Sequence, residues 1–161
     1  MTTNKITRTF SLIGLVIIGM LTSCIEIESE TSTQQKNKII NTDNAPAAVG
    51  VYSQAVEAGT TLYLSGQIGL IPESRQLAGE DLESQSHQTL KNIRAVLEAA
   101  GYEMSEVVKA QVFLDDMNDY SAFNDVYVQY FPENPPARAV VEVSRIPLDA
   151  KVEIMVTAVK N

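Results

Sequence analysis

Two residues near the end of the chain could do chemistry together. Arg138 opens an extended run directly after Pro136-Ala137, and Glu153 lies in the extended run that follows. A guanidinium can hold a carboxylate by two parallel N–H···O bonds, and a glutamate at a semi-enclosed site can carry a proton or orient a water. The same two side chains could instead pair with each other across a sheet, leaving neither free for a ligand. Asn124 falls inside the apolar stripe of a predicted helix. An amide there must find a partner, since a buried unpaired one costs ~1–3 kcal/mol. It either ties down a nearby loop or belongs to a site.

Other candidates have plainer readings. His87, the single histidine, falls on the charged face of a predicted helix and reads as a solvated side chain. No Ser–His or Cys–His pair is then available for a nucleophilic mechanism. Asp115, Asp116 and Asp119 sit at a strand-to-helix turn and read as caps and solvated groups before metal ligands. No Gly-x-Gly-x-x-Gly and no lysine-bearing phosphate loop occurs. A net charge of −8 argues against a nucleic-acid partner, which needs a basic surface.

The elements that must position these residues fit one domain. The chain has 161 residues, of which 45% are hydrophobic, too many for a wholly disordered protein. Residues 1–23 read as an export signal: Lys5 and Arg8 precede a mostly apolar run from Phe10 to Leu21, too short to span a bilayer as a helix. It ends in Leu21-Thr22-Ser23-Cys24, which resembles a bacterial lipobox. Cys24, the only cysteine, is then the lipidated residue, and the protein is expected in the cell envelope, facing the periplasm or the outside. Residues 24–43 are polar, without a helical stripe, and read as a flexible tether.

Residues 44–161 read as a ββαβαββ domain of the α+β class. Two strands, 51–57 and 61–67, join at Ala58-Gly59-Thr60. A loop over 71–79 leads to an amphipathic helix over 81–100 that Gly101 ends. A strand over 107–114 precedes a second helix over 119–130, with Tyr120, Phe123 and Tyr127 on its apolar stripe. Strands over 138–145 and 150–159 follow, and Pro147 in their short connection suggests a hairpin. Val152, Ile154, Val156 and Ala158 alternate with Lys151, Glu153, Met155 and Thr157. The first set is expected to meet two helices packed on one face of a mixed sheet. The other face is half apolar and invites burial against another subunit.

Four stretches resemble the RidA/YjgF family: Asn44 to Gln54, Leu64-Ser65-Gly66-Gln67-Ile68, Ala99-Ala100-Gly101 with the strand after it, and Pro136-Ala137-Arg138 through Val152-Glu153-Ile154. The resemblance implies a chorismate-mutase-like fold and a homotrimer with sites in clefts between neighbours. It implies hydrolysis of reactive enamines and imines, such as 2-aminoacrylate, to 2-oxo acids and ammonia, without a metal or organic cofactor. Arg138 would grip the substrate carboxylate and Glu153 would position water or move protons. Tyr52, Ser65 and Gly66 would form the pocket wall, with Asn124 beside it. Val140 stands where family members often carry Cys, so its backbone is the expected substrate contact. Val51 replaces a common Pro. A non-catalytic module that binds a small carboxylate is the alternative.

Overall fold

The computed structural model describes residues 36–160. The expected signal, Cys24 and the start of the tether lie outside the described residues.

The described residues build one mixed sheet with two α-helices. Strands β1 (Lys38–Ile40), β2 (Ala55–Ala58), β3 (Thr61–Leu64) and β4 (Gln67–Ile68) precede helix α1 (Leu82–Ala99). Strand β5 (Val107–Leu114), helix α2 (Tyr120–Tyr127), β6 (Ala137–Glu142) and β7 (Val152–Val159) complete it. The sheet order is β1-β2-β3-β7-β5-β6, with β4 also paired to β7. All pairings are antiparallel except β5 with β6. Among the described residues no helix is long and apolar enough to cross a membrane.

The expected α+β class and the two helices are present. Val152, Ile154, Val156 and Ala158 are all buried, so the period-2 reading of β7 identified the core-facing side. Asp81 caps α1, accepting from the Ser84 amide at 2.7 Å. Gly101 takes φ 74° just past the helix end, a conformation that costs glycine nothing.

Helix α1 buries a broader face than its leucines suggest, because Gln85 and Asn92 act as struts. Asn92 donates to the carbonyls of Ile68 (3.0 Å) and Leu70 (2.8 Å). Gln85 accepts from the Lys151 amide at 2.8 Å and donates to the Gly79 carbonyl at 2.9 Å. These bonds fix β4 and the start of β7 against the helix. Gly69 permits the approach, since a Cβ there would come within 2.7 Å of the Gln85 Cα.

Several expectations need correction. The last two strands are not a hairpin. β6 runs parallel to β5, as a strand–helix–strand unit through α2 requires, and β7 lies on the other side of β5. Its four buried residues need a central place, and the connection after Glu142 crosses the end of β5, where the Val143 amide donates to the Leu114 carbonyl at 2.9 Å. The stretch Lys38–Ile40, read as tether, is instead the edge strand β1 against β2. The second helix ends at Tyr127, and turns carry the chain on to Phe131. His87 is half-buried, with Nδ1 3.1 Å from the Tyr130 hydroxyl. Asp115 is ion-paired with Lys151 at 2.7 Å, and Asp116 caps a turn by accepting from the Asn118 amide.

Candidate active site

Arg138 and Glu153 do not pair, and the register says why. Across the sheet Arg138 stands opposite Ala110, which stands opposite Val156. Glu153 stands opposite Phe113, which stands opposite Val141. Cross-strand partners point the same way and successive residues alternate. Arg138 therefore lies on the helix-covered face and Glu153 on the open face. Each lines its own hollow.

The Arg138 hollow, of about 400 Å³, lies beside α2 and the turns after it, lined by Asn124, Tyr127, Phe131, Pro135 and Arg138. The guanidinium is held in place. Nη2 donates to the Asn124 carbonyl oxygen at 2.7 Å and to the Tyr120 hydroxyl at 3.2 Å. The guanidinium carbon lies 4.5 Å from the Tyr127 ring centre, 5.6 Å from that of Phe123 and 5.7 Å from that of Tyr120. Aromatic faces favour a cation so placed. The α2 stripe thus does two jobs: Phe123 and Tyr127 fill the core, and the same rings support the charge. Burial pushes the Tyr127 hydroxyl up to about 12, against the opposing pull of Arg138. Hydrogen bonding with Asn124, then the hydrogen bond and charge of Arg138, hold the Tyr120 phenol below its ordinary value. The amide that had to find a partner finds the arginine.

The Glu153 hollow, of about 410 Å³, is lined by Tyr52, Ser65, Gly66, Ile68, Pro147 and Glu153, with Met155 beside them. Its frame is the break between β3 and β4. The Ser65 hydroxyl donates to the Ser53 carbonyl at 2.7 Å, and the Ser65 amide donates to the Gln54 carbonyl at 3.0 Å. Ser65 can therefore offer an incoming ligand only its oxygen lone pairs. Gln54, buried, anchors the loop ahead of Tyr52. Its side-chain oxygen accepts from the Thr42 amide, and its NH2 group lies within hydrogen-bond distance of the Thr42, Ala45 and Pro46 carbonyls. Gly66 packs directly on Glu153, and a Cβ at that position would collide with the carboxylate. Glu153 itself is half-buried, and among the described residues no side-chain hydrogen bond or ion pair reaches its carboxylate. Burial alone raises its proton affinity above the ordinary carboxylate value.

The residues named from the sequence thus fall into two groups, one per hollow. Val140 joins neither. Its side chain packs half-buried against the core, beside Arg138 on the same strand. Sequence reasoning missed Ile68, Pro147 and Met155 as wall residues. It also read Tyr120 and Tyr127 only as stripe positions, although an aromatic stripe around a helix asparagine was the available signal.

Fold and site together define a class: a small α+β protein whose sheet carries a positioned guanidinium on one face and, on the other, a carboxylate without a partner among the described residues. Residues 42–160 match the family described as endoribonuclease L-PSP, and the chain belongs to that family, the one the RidA/YjgF resemblance indicated. A Bos taurus protein named 2-iminobutanoate/2-iminopropanoate deaminase is 49% identical over 124 residues, covering 77% of this chain and 90% of its own. The solved structure of RidA from the Antarctic bacterium Psychrobacter sp. is 45% identical, with a TM-score of 0.74, covering 76% of this chain and 99% of that one. The E. coli TdcF structure with bound serine is 38% identical, also with a TM-score of 0.74, covering 77% and 99%. The chorismate-mutase-like expectation for the fold holds.

Proposed function

We propose that this protein hydrolyses reactive enamines and imines of the 2-aminoacrylate type, and that each site forms where two copies meet. Arg138 of one copy grips the substrate carboxylate, and Glu153 of its neighbour handles protons. In the reaction the enamine carbon takes a proton to give the imine, and water adds to the C=N carbon. The nitrogen then leaves as ammonia, giving the 2-oxo acid. Glu153, with its raised proton affinity, accepts a proton from the attacking water and returns one to the departing nitrogen. The substrate is already unstable in water, so positioning and proton transfer worth roughly 10²–10⁴-fold suffice.

The observation that carries this reading is the separation of the two groups onto opposite faces of one sheet. Neither hollow alone offers both an anion grip and a proton carrier. The open face shows Tyr63 and Val141 half-exposed, apolar surface suited to a second copy. A homotrimer with three shared clefts satisfies both requirements. The deaminase name of the bovine relative and the amino acid bound to TdcF point the same way. The net charge of −8 disfavours the ribonuclease activity in the family description. The geometry favours an enzyme over a silent carboxylate binder, since among the described residues the Glu153 carboxylate is spent on no structural bond.

The reading extends to the N-terminus: residues 1–23 are a lipoprotein signal, and the protein is held in the cell envelope through acylated Cys24. Mass measurement of the mature N-terminus tests that part. For the activity, 2-iminopropanoate generated in solution is followed with and without protein. Accelerated imine loss that falls at least 100-fold with Arg138→Ala is expected; no acceleration, or equal acceleration by the variant, overturns the proposal.

A further inference from the structure

We propose that Tyr120 is a displaceable cap on Arg138, holding a guanidinium hydrogen that the substrate carboxylate takes over on binding. This rests on the reading of Arg138 as the carboxylate grip.

The argument is a count of hydrogens. A guanidinium has five, two of them on Nη2. Both flat edges that can hold a carboxylate by two parallel bonds use an Nη2 hydrogen, one edge together with Nη1 and the other together with Nε. Here Nη2 has both of its hydrogens engaged, one by Asn124 and one by Tyr120. Neither two-bond edge is free, so a bidentate carboxylate must displace one of the two partners.

The two partners are unequal. The Asn124 bond is short, 2.7 Å, and partly buried. Breaking it would strand a half-buried amide. The Tyr120 bond is long, 3.2 Å, and lies at the surface, with Tyr120 42% exposed. A released phenol there is solvated at once. The phenol is a single neutral acceptor on the charged guanidinium, whereas a carboxylate brings an opposite charge and can take two parallel N–H···O bonds. Tyr120 therefore yields and Asn124 stays, keeping the guanidinium aligned throughout. A neutral ligand lacks the charge to displace the phenol, so the cap also favours carboxylates over uncharged analogues.

The test uses the full-length oligomer and 2-oxobutanoate, a carboxylate of the product class with no nitrogen to lose. Tyr120→Phe keeps the ring over Arg138 and removes only the competing hydroxyl. Calorimetry is expected to show 2-oxobutanoate bound about two- to tenfold more tightly by Tyr120→Phe than by wild type. Equal or weaker binding overturns the cap, because a mere support for Arg138 would lose affinity with its hydroxyl. The second readout needs no functional variant. Tyrosine ionisation followed by ultraviolet absorbance should include one phenol in free wild type that titrates below the ordinary range, and 2-oxobutanoate should move it to higher pH. A titration that ignores the ligand overturns the cap. If wild type binds no 2-oxobutanoate at all, the carboxylate reading of Arg138 falls and the cap with it. Binding by wild type with no gain in Tyr120→Phe removes the cap alone.

Discussion

Arg138 and Glu153 sit on opposite faces of one sheet and are held in opposite ways. The guanidinium is wrapped by the Asn124 amide and three aromatic rings, one of which also accepts through its hydroxyl, and its position is settled before any ligand arrives. The carboxylate has a glycine at its back and no partner among the described residues. A group that must orient a substrate gains from being locked, because geometry set in advance need not be paid for during binding. A group that must take up and release a proton gains from being unpaired and half-dry, because a fixed ion pair would hold it in one state.

The largest break in this comparison is Glu153→Gln. It keeps shape and removes the proposed proton carrier, and imine turnover is expected to drop by roughly 10²–10⁴-fold, with 2-oxobutanoate affinity nearly unchanged. If affinity collapses along with turnover, Glu153 is a binding group like Arg138 and the contrast fails.

Gly66→Ala sharpens the same half. The added methyl would occupy the place of the Glu153 carboxylate, the movable end of a flexible side chain. Turnover should fall by roughly tenfold or more while the protein still folds, because under the proposed function the misplaced group carries the proton and only its position is lost. Turnover at the wild-type level would show that the carboxylate need not rest on that glycine.

The smallest effect is on stability. Burial raises the Glu153 proton affinity in the folded chain above its ordinary 4.5, so between that value and the raised one the folded state binds more protons than the unfolded state. Stability contributed by this group is present at low pH and is lost as pH rises through the folded value. Glu153→Gln should therefore be the more stable protein at neutral pH, and its advantage should vanish below about pH 4 in denaturant titrations. Equal stability at neutral pH would contradict a desolvated carboxylate.

Much of this was legible in the sequence, and the limits have physical causes. Alternation in Val152 to Val159 identified the core face, because the period of two is a local property of a strand. The partner of Asn124 was demanded by burial, though not named. The hairpin expectation failed because Pro147 announces only that the chain turns back. A turn permits the returning strand to skip over β5 as readily as to pair with its predecessor. That single error hid the main feature of the site. Parity places Arg138 and Glu153 relative to residues on their own strands, but comparing the two requires knowing that β5 lies between them. Gln54 was invisible for a related reason: its partners are backbone carbonyls eight to twelve residues upstream, and no side-chain pattern records them.

The central claim, that one working site draws Arg138 from one copy and Glu153 from another, is tested most directly by complementation. Chains carrying Arg138→Ala and chains carrying Glu153→Gln are co-expressed, and imine turnover by the mixed oligomer is compared with each variant alone. Random mixing places an intact arginine against an intact glutamate at about a quarter of the clefts of a cyclic oligomer, so recovery toward that fraction of wild-type activity is predicted. A mixture confirmed to contain both chains, yet no more active than the two variants apart, would contradict the shared site.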